Sequence, residues 1–496
     1  MNAQIGSWLR ERLGIPENRS SEFDQDVPPG VGWAQTLGAV LVALILVQVV
    51  TGVFMAMYYS PHPDGAYDST YYLRNHVPGG KLLYSLHHYC DSALIAVLGL
   101  HLVSTLVRGA YKRPRELSWL LGIIALNIVV IFGVTGHLLP WDQKGVRSTE
   151  VRSSFPADVP IVGPYIKQIL LGGPDIGALS LTRFYALHAL LLPALLLAVV
   201  AIHGRLALRH GPAPATPVGS PPERAGKWSS VLLPRQLIAA GVAVLALIAL
   251  SLFKPAELEF RYDTADTGYK ARPDWYFLFL FQFLNDASKL PLKIPSWMLA
   301  LGVPGAVMTF LALAPWIDRS PERKLARRPL MLAVLVVLGL AVGGFTARAM
   351  TTLHPNATPE DSVYGHLTKG GEEELNPAQV QAGKMAFGNV KPVPCSACHK
   401  AYADFKVGTS PDLSGIGRHT LLNEVTGHPN VGEMSFYERF KAYVRGDLRP
   451  KDASGQEKSM MPKYPVESLS DVDLNAIAAY LSQDPLLLDR QRRLGL

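Results

Sequence analysis

Residues 86–103 read LHHYCDSALIAVLGLHLV. Leu, Ile, Val and Ala dominate this run, a composition that suits hydrocarbon far better than water. Three imidazoles, those of His87, His88 and His101, interrupt it. Ionisable groups inside a bilayer are rare unless function requires them. His87 and His101 are 14 residues apart. At about 100° per residue they face nearly the same way, with about 21 Å between them along the helix axis.

The surroundings of this stretch are of the same kind. The chain has 496 residues, 49% hydrophobic and 18% charged, a balance that points to a membrane protein rather than a soluble domain. Seven apolar runs, approximately 36–59, 83–107, 117–141, 184–204, 236–253, 294–317 and 329–348, are each long enough to cross about 30 Å of hydrocarbon as helices. The first run is too long for a signal-peptide core and lacks a small-residue cleavage site, so it reads as a retained span. Basic residues gather in alternate loops: RGAYKRPREL after span two, Arg205, Arg209, Arg224 and Lys227 after span four, and DRSPERKLARRP after span six. The positive-inside rule puts these loops in the cytoplasm together with Arg10, Arg12 and Arg19. The amino terminus is then cytoplasmic, and everything beyond span seven lies on the outer, periplasmic face of a bacterial inner membrane. The net charge of +7 is largely this bias, and calls for no nucleic-acid partner.

Span four, RFYALHALLLPALLLAVVAIHG, repeats the histidine device with His188 and His203, 15 residues apart. Two such helices side by side pair His87 with His188 toward the outside and His101 with His203 toward the inside. Each pair can hold one iron from opposite faces of a haem. A lone membrane histidine is more often a bundle residue hydrogen-bonded to a neighbour; four at matched spacing on alternate spans argue against that. His88 fits no pair. Gly38 and Gly52 on span one, and Gly122 and Gly136 on span three, are again 14 apart. Glycine lets a backbone come close to a wide, flat group.

These residues, with YKRPRELSW, LPWDQ and LTRFYALH, resemble cytochrome b of the cytochrome bc family over about residues 30 to 350. The likeness is greatest to the branch with a four-span cytochrome b and a three-span companion, here fused. The resemblance implies an all-α seven-span transmembrane helical bundle holding two non-covalent haem b, the low-potential one at the outer pair and the high-potential one at the inner pair. Two family arginines that serve haem propionates are replaced by Tyr84 and Ser104, leaving Arg183 and Arg115 as candidates. Thr36 stands where the branch often has a cysteine that tethers an extra haem. Within KARPDWYFLFLFQFLN, Pro273, Asp274, Trp275 and Tyr276 look like a variant of the family's Pro-Glu-Trp-Tyr signature at the outer quinol-oxidation site. The plainer reading of that loop is an interfacial aromatic belt. By the resemblance, Asp274 accepts a quinol proton, its pKa raised by burial toward working pH, and Tyr276 hydrogen-bonds the substrate. The Asp variant leans toward menaquinol. An inner quinone site would draw on Arg209 and His210.

After residue 350 the texture is that of a soluble domain. PVPCSACHK carries Cys395, Cys398 and His399, the C-x-x-C-H pattern in which two thiols attach a haem covalently and the histidine ligates its iron. Zinc binding or thiol redox chemistry does not require that histidine, and no second cysteine pair is present to complete a four-ligand zinc site. The region 376–485 resembles a class I cytochrome c, a small α-helical domain. Met461 ahead of Pro462 would be the sixth ligand, with Met460 second. The organisation read from the sequence is a cytoplasmic segment 1–32, a four-span di-haem domain 33–210, a three-span companion 211–350 carrying the quinol loop, a linker 351–377 and a cytochrome c domain 378–496.

The resemblance implies the cytochrome b and c subunit of a quinol:cytochrome c oxidoreductase. It would work with a separate Rieske iron–sulfur subunit and a downstream cytochrome c or oxidase, in a homodimeric complex. The alternatives are a di-haem anchor of a dehydrogenase, which needs neither the Pro-Asp-Trp-Tyr loop nor spans five to seven, and a c-haem redox sensor whose span histidines are structural.

Overall fold

The computed structural model describes residues 11–13, 25–173, 175–221, 224–259, 261–262, 272–289, 291 and 294–352, and four single positions farther on, Met385, Val444, Leu474 and Ile477. Cys395, Cys398, His399, Met460 and Met461 lie outside the described residues. The chain divides into two compact units, Met1–Phe260 with Arg272–Leu353, and Arg261–Ala271 with His354–Leu496. In the second, Leu474 and Ile477, one helical turn apart, are both buried. Every other element discussed belongs to the first.

Among the described residues seven helices are long and apolar enough to cross a membrane: Trp33–Ala56, Gly80–Val107, Glu116–Gly136, Ala178–His210, Trp228–Phe253, Met298–Ile317 and Pro329–Thr352. They coincide with the seven apolar runs, because in hydrocarbon a backbone must satisfy its own hydrogen bonds and a helix does so within one segment. Span one packs on span two, span three on span four, and span five leans on spans one and two. Leu44, Cys90, Leu94, Ile128, Val129 and Leu196 form the dry middle of the four-helix part, where the Cys90 thiol donates to the Leu44 carbonyl at 3.3 Å.

Span four is not one continuous α-helix. Residues Leu187–Leu191 form a π turn, in which the Leu192 N–H donates to the Leu187 carbonyl five residues back, just before Pro193, which has no N–H to give. This explains the unequal histidine spacings. Fourteen residues on a regular helix fall about 40° short of four turns, and fifteen overshoot by about 60°. A π turn takes up one extra residue, so His188 and His203 regain the relation that His87 and His101 have.

The three-span part is held to the four-span part by a buried charge cluster. Asp318, after span six, lies 2.7 Å from Lys112 Nζ and 3.3 Å from Arg328 Nη1, and accepts a hydrogen bond from the Tyr111 hydroxyl. Trp119 Nε1 adds a bond to the Leu311 carbonyl at 2.7 Å. One carboxylate thus answers two buried cations. Asp318→Ala leaves both without it, and removing one partner of a buried ion pair costs about 3–5 kcal/mol. The expected result is a clearly lower thermal unfolding midpoint in detergent; an unchanged midpoint would show that the cluster contributes nothing to joining the two parts.

Candidate functional site

The ring centroids of His87 and His188 are 6.4 Å apart, and those of His101 and His203 are 6.5 Å apart. A metal bound to two imidazole nitrogens at about 2.0 Å each, with about 1.1 Å from nitrogen to ring centre, requires about 6.2 Å. The structure brings the four sequence-predicted histidines together in the two expected pairs, at that separation.

The surroundings of the rings also fix which nitrogen is available. Thr51 Oγ1 gives its single proton to the Val47 carbonyl at 2.7 Å, so it accepts from His87 Nδ1 at 2.9 Å. Thr135 stands in the same way between the Ile131 carbonyl, 2.9 Å, and His188 Nδ1, 3.1 Å. His203 Nδ1 donates to the Ser118 carbonyl at 2.8 Å. With the proton on Nδ1, the lone pair is on Nε2, which is how a supporting shell orients an imidazole for a metal. His101 Nδ1 has no hydrogen-bond partner among the described residues.

Each of the four sequence-predicted glycines faces one of these rings. A Cβ would lie 3.7 Å from His101 Cε1 at Gly38, 3.3 Å from His87 Cε1 at Gly52, 3.3 Å from His203 Cε1 at Gly122, and 2.6 Å from His188 Cε1 at Gly136. The glycines give room to the edges of the imidazoles themselves, which is why their spacing follows that of the histidines.

Beside His101 and His203 opens a cavity of about 640 Å³, with Gly38 and Gly122 in its wall, a volume suited to a cofactor. Its charged corner is formed by Arg115 and by Arg108, the latter missed by the sequence reading. Arg108 lies one turn beyond Ser104, whose carbonyl its Nε bonds at 3.1 Å. Arg115 Nη2 bonds the His210 carbonyl at 2.9 Å. Arg108 Nη1 and Arg115 Nε are buried and have no hydrogen-bond partner among the described residues. Two idle guanidinium nitrogens fit the carboxylate side groups of a haem, so the residues present suit the cofactor that the histidines call for. Arg183 is placed differently: its Nη1 donates to the carbonyls of Gln168 and Ile169 at the end of the helix Gly163–Leu171. Arg209 and His210 also turn away from the cavity, Arg209 donating to the Leu13 carbonyl at 2.8 Å and His210 Nε2 lying 3.1 Å from that of Glu11.

At the other pair, the Pro-Asp-Trp-Tyr loop folds onto spans two and three. Pro273 is buried, Asp274 is extended, and Trp275–Phe277 make one tight turn. Trp275 Nε1 donates to Ser92 Oγ at 3.2 Å. The Tyr276 hydroxyl donates to Asp91 Oδ2 at 3.0 Å, and it comes so close to span three that a Cβ on Gly133 would lie 3.1 Å from it. Asp274 Oδ2 is 2.6 Å from His137 Nε2, and Oδ1 is 3.1 Å from Lys144 Nζ. The expectation that burial lifts the Asp274 pKa toward working pH is therefore corrected. Burial does push it up, but His137 and Lys144 outweigh burial and hold it well below the usual carboxylate range. Neighbouring acids behave in the opposite way: burial pushes Asp142 up to about 6 and Glu259 up to about 7. Asp142 Oδ1 caps the helix Gln143–Ala157 through the Gly145 N–H at 2.6 Å, and that cap sets the position of Lys144. The sequence reading missed His137, Lys144 and Asp91; a charged residue within a span was the available sign for Asp91.

Two imidazole pairs stacked in one apolar bundle, each at a separation that one metal ion would span, are an arrangement able to hold haem within a membrane. Comparison with known proteins agrees. Residues 23–210 match the family cytochrome b/b6/petB, and residues 262–358 match cytochrome b(C-terminal)/b6/petD. Cytochrome b6 of Prochlorococcus marinus (strain MIT 9303) is 38% identical over 210 residues, covering 42% of this chain and 96% of the relative. The menaquinol:cytochrome c reductase cytochrome b subunit of Geobacillus thermodenitrificans is 37% identical over 216 residues, with the same coverage. A solved structure described as a hyperthermophilic respiratory Complex III shares the fold, with a TM-score of 0.59 at 23% identity over 73% of this chain and 91% of that one. The chain belongs to the cytochrome b/b6 family, and is an integral membrane protein of the kind that carries b haems.

The glycine contacts separate the two sites experimentally. Gly136→Ala drives a methyl into the His188 ring, which Thr135 holds in place, whereas Gly38→Ala makes an ordinary contact. In redox titrations of purified protein, Gly136→Ala is expected to lose or shift one b-haem component, while Gly38→Ala keeps both. Unaltered titrations in Gly136→Ala would mean that the ring does not sit where the glycine leaves room.

Proposed function

We propose that this chain is the cytochrome b subunit, with a cytochrome c domain attached, of a quinol:cytochrome c oxidoreductase that oxidises quinol at the Pro273–Tyr276 loop. The observation that carries this reading is that one turn of span three touches both parts of the site. Gly133 meets the Tyr276 hydroxyl and Gly136 meets the His188 ring, so a quinol held at the loop is next to the outer histidine pair. A dehydrogenase anchor has no use for that loop.

His87 with His188, and His101 with His203, hold the two b haems, which when bound pass single electrons along the bundle. Arg108 and Arg115 bind the propionates at the second pair. Cys395 and Cys398 attach the c haem, with His399 and Met461 as its iron ligands; a thioether ligand raises the potential, as suits an acceptor downstream of quinol. The loop faces the periplasm, where the cytochrome c domain 378–496 and a separate Rieske subunit take the other electron. The Geobacillus relative is named for menaquinol, and the low-potential quinol is the substrate favoured for this chain.

At the loop, the Tyr276 hydroxyl keeps its proton: burial and the Asp91 carboxylate both push its pKa up, leaving it a hydrogen-bonding group. Asp274 takes the quinol proton. Its own basicity is low, so the proton does not stay there and is passed on toward the outer solvent.

Asp274→Asn keeps the shape and removes the base. Steady-state quinol:cytochrome c reduction is expected to fall by about 10² to 10⁴, the usual loss on removing a general base, with b-haem content unchanged. A depressed folded pKa means that the carboxylate is ionised from neutrality down to well below pH 5, so the factor should be nearly constant between pH 6 and 8. Asp274→Glu keeps substantial activity. Wild-type rates in the Asn variant would take Asp274 out of the chemistry, and a loss that grew steeply with pH would contradict its ionisation state.

A further inference from the structure

Arg152 lies on the helix Gln143–Ala157, whose amino end supplies Lys144 to Asp274. Its Nε, Nη1 and Nη2 are all buried, and none has a hydrogen-bond partner among the described residues. Its guanidinium carbon sits 5.4 Å from the ring centroid of Phe277, the residue after Tyr276. A buried guanidinium with five N–H groups and no acceptor is costly, and stacking on an aromatic face offsets only part of that. Carboxylates of this region are already engaged: Asp274 with His137 and Lys144, Asp91 with Tyr276, and Glu150 with Arg147. Burial pushes the Arg152 pKa down, while Asp274 and Tyr276 push it back up, so the guanidinium feels the field of the quinol loop. Donors that are buried and idle beside the loop assigned to quinol are matched to an acceptor that arrives with the ligand.

We propose that Arg152 binds a ring oxygen of the quinol head group and favours its anionic form, so that this site prefers head groups carrying a negatively charged oxygen. The proposal rests on the quinol site assigned above. In the step it assists, one quinol O–H bond breaks, the electron pair stays on the ring oxygen facing the guanidinium, and the proton goes to the Asp274 carboxylate. No electron is transferred in that step. Arginine does not give up its proton under these conditions, so Arg152 acts only as donor and counter-charge.

The test uses the intact detergent-solubilised complex at pH 7 and two probes competing with quinol: an alkylated 2-hydroxy-1,4-naphthoquinone, which is ionised, and its neutral 2-methoxy ether. The wild type is expected to bind the hydroxy compound at least about 10-fold more tightly, the lower range for a hydrogen bond to a charged group. In Arg152→Met the ratio collapses toward unity, chiefly through weaker binding of the hydroxy compound, while the b-haem spectrum is unchanged. Arg152→Lys recovers part of the preference. Should Arg152→Met fail to assemble, Arg152→Gln is read in the same way. An undiminished ratio, or an equal weakening of both probes, would overturn the proposal and leave Arg152 as packing. If neither probe competes with quinol in the wild type, the quinol site itself is misplaced.

Discussion

The bundle depends on hydrogen bonds that four imidazoles make, or lack, inside hydrocarbon. A threonine hydroxyl whose proton is taken by its own helix can only accept, and a backbone carbonyl can only accept. Those acceptors hold Nδ1–H on three of the four rings and leave the lone pair on Nε2. The ring separations of 6.4 and 6.5 Å follow from helices kept close by glycine. The π turn in span four then keeps both of its histidines on the face that spans one and three leave open. The spacing, the glycines and the turn are three consequences of fitting two imidazole pairs between the same two helices.

Electrostatics then distinguish the two ends. At the His101–His203 end, the cavity corner is cationic, and Arg108 Nη1 and Arg115 Nε there have no hydrogen-bond partner among the described residues. At the His87–His188 end, charge is balanced by close pairing: one carboxylate between His137 and Lys144, a phenol on Asp91, and a lone guanidinium behind Phe277. The first arrangement suits an anionic group. The second suits chemistry in which a proton leaves a neutral substrate.

The spans and the histidine pairs were legible in the sequence because their determinants are local: apolar length, helical periodicity and matched intervals. The 15-residue interval could be read, although its cause, the π turn ahead of Pro193, could not. What escaped was set by partners far apart in the chain. Asp274 meets Lys144 across 130 positions, and Tyr276 meets Asp91 across 185. No local pattern announces such contacts, and for that reason the Asp274 pKa was expected to move in the wrong direction. Arg108 escaped because the family position one turn earlier is Ser104, and the guanidinium reaches the cavity from the next turn.

The central claim is that the two imidazole pairs are two separate iron sites on one chain. Quantitative haem extraction from the purified complex tests it most directly, because b haem leaves with acidified organic solvent and c haem stays with the polypeptide. The account predicts two extractable b haems and one retained c haem per chain, with His188→Leu and His203→Leu each removing one b haem. A single b haem in the wild type, or the loss of both on either substitution, would contradict it.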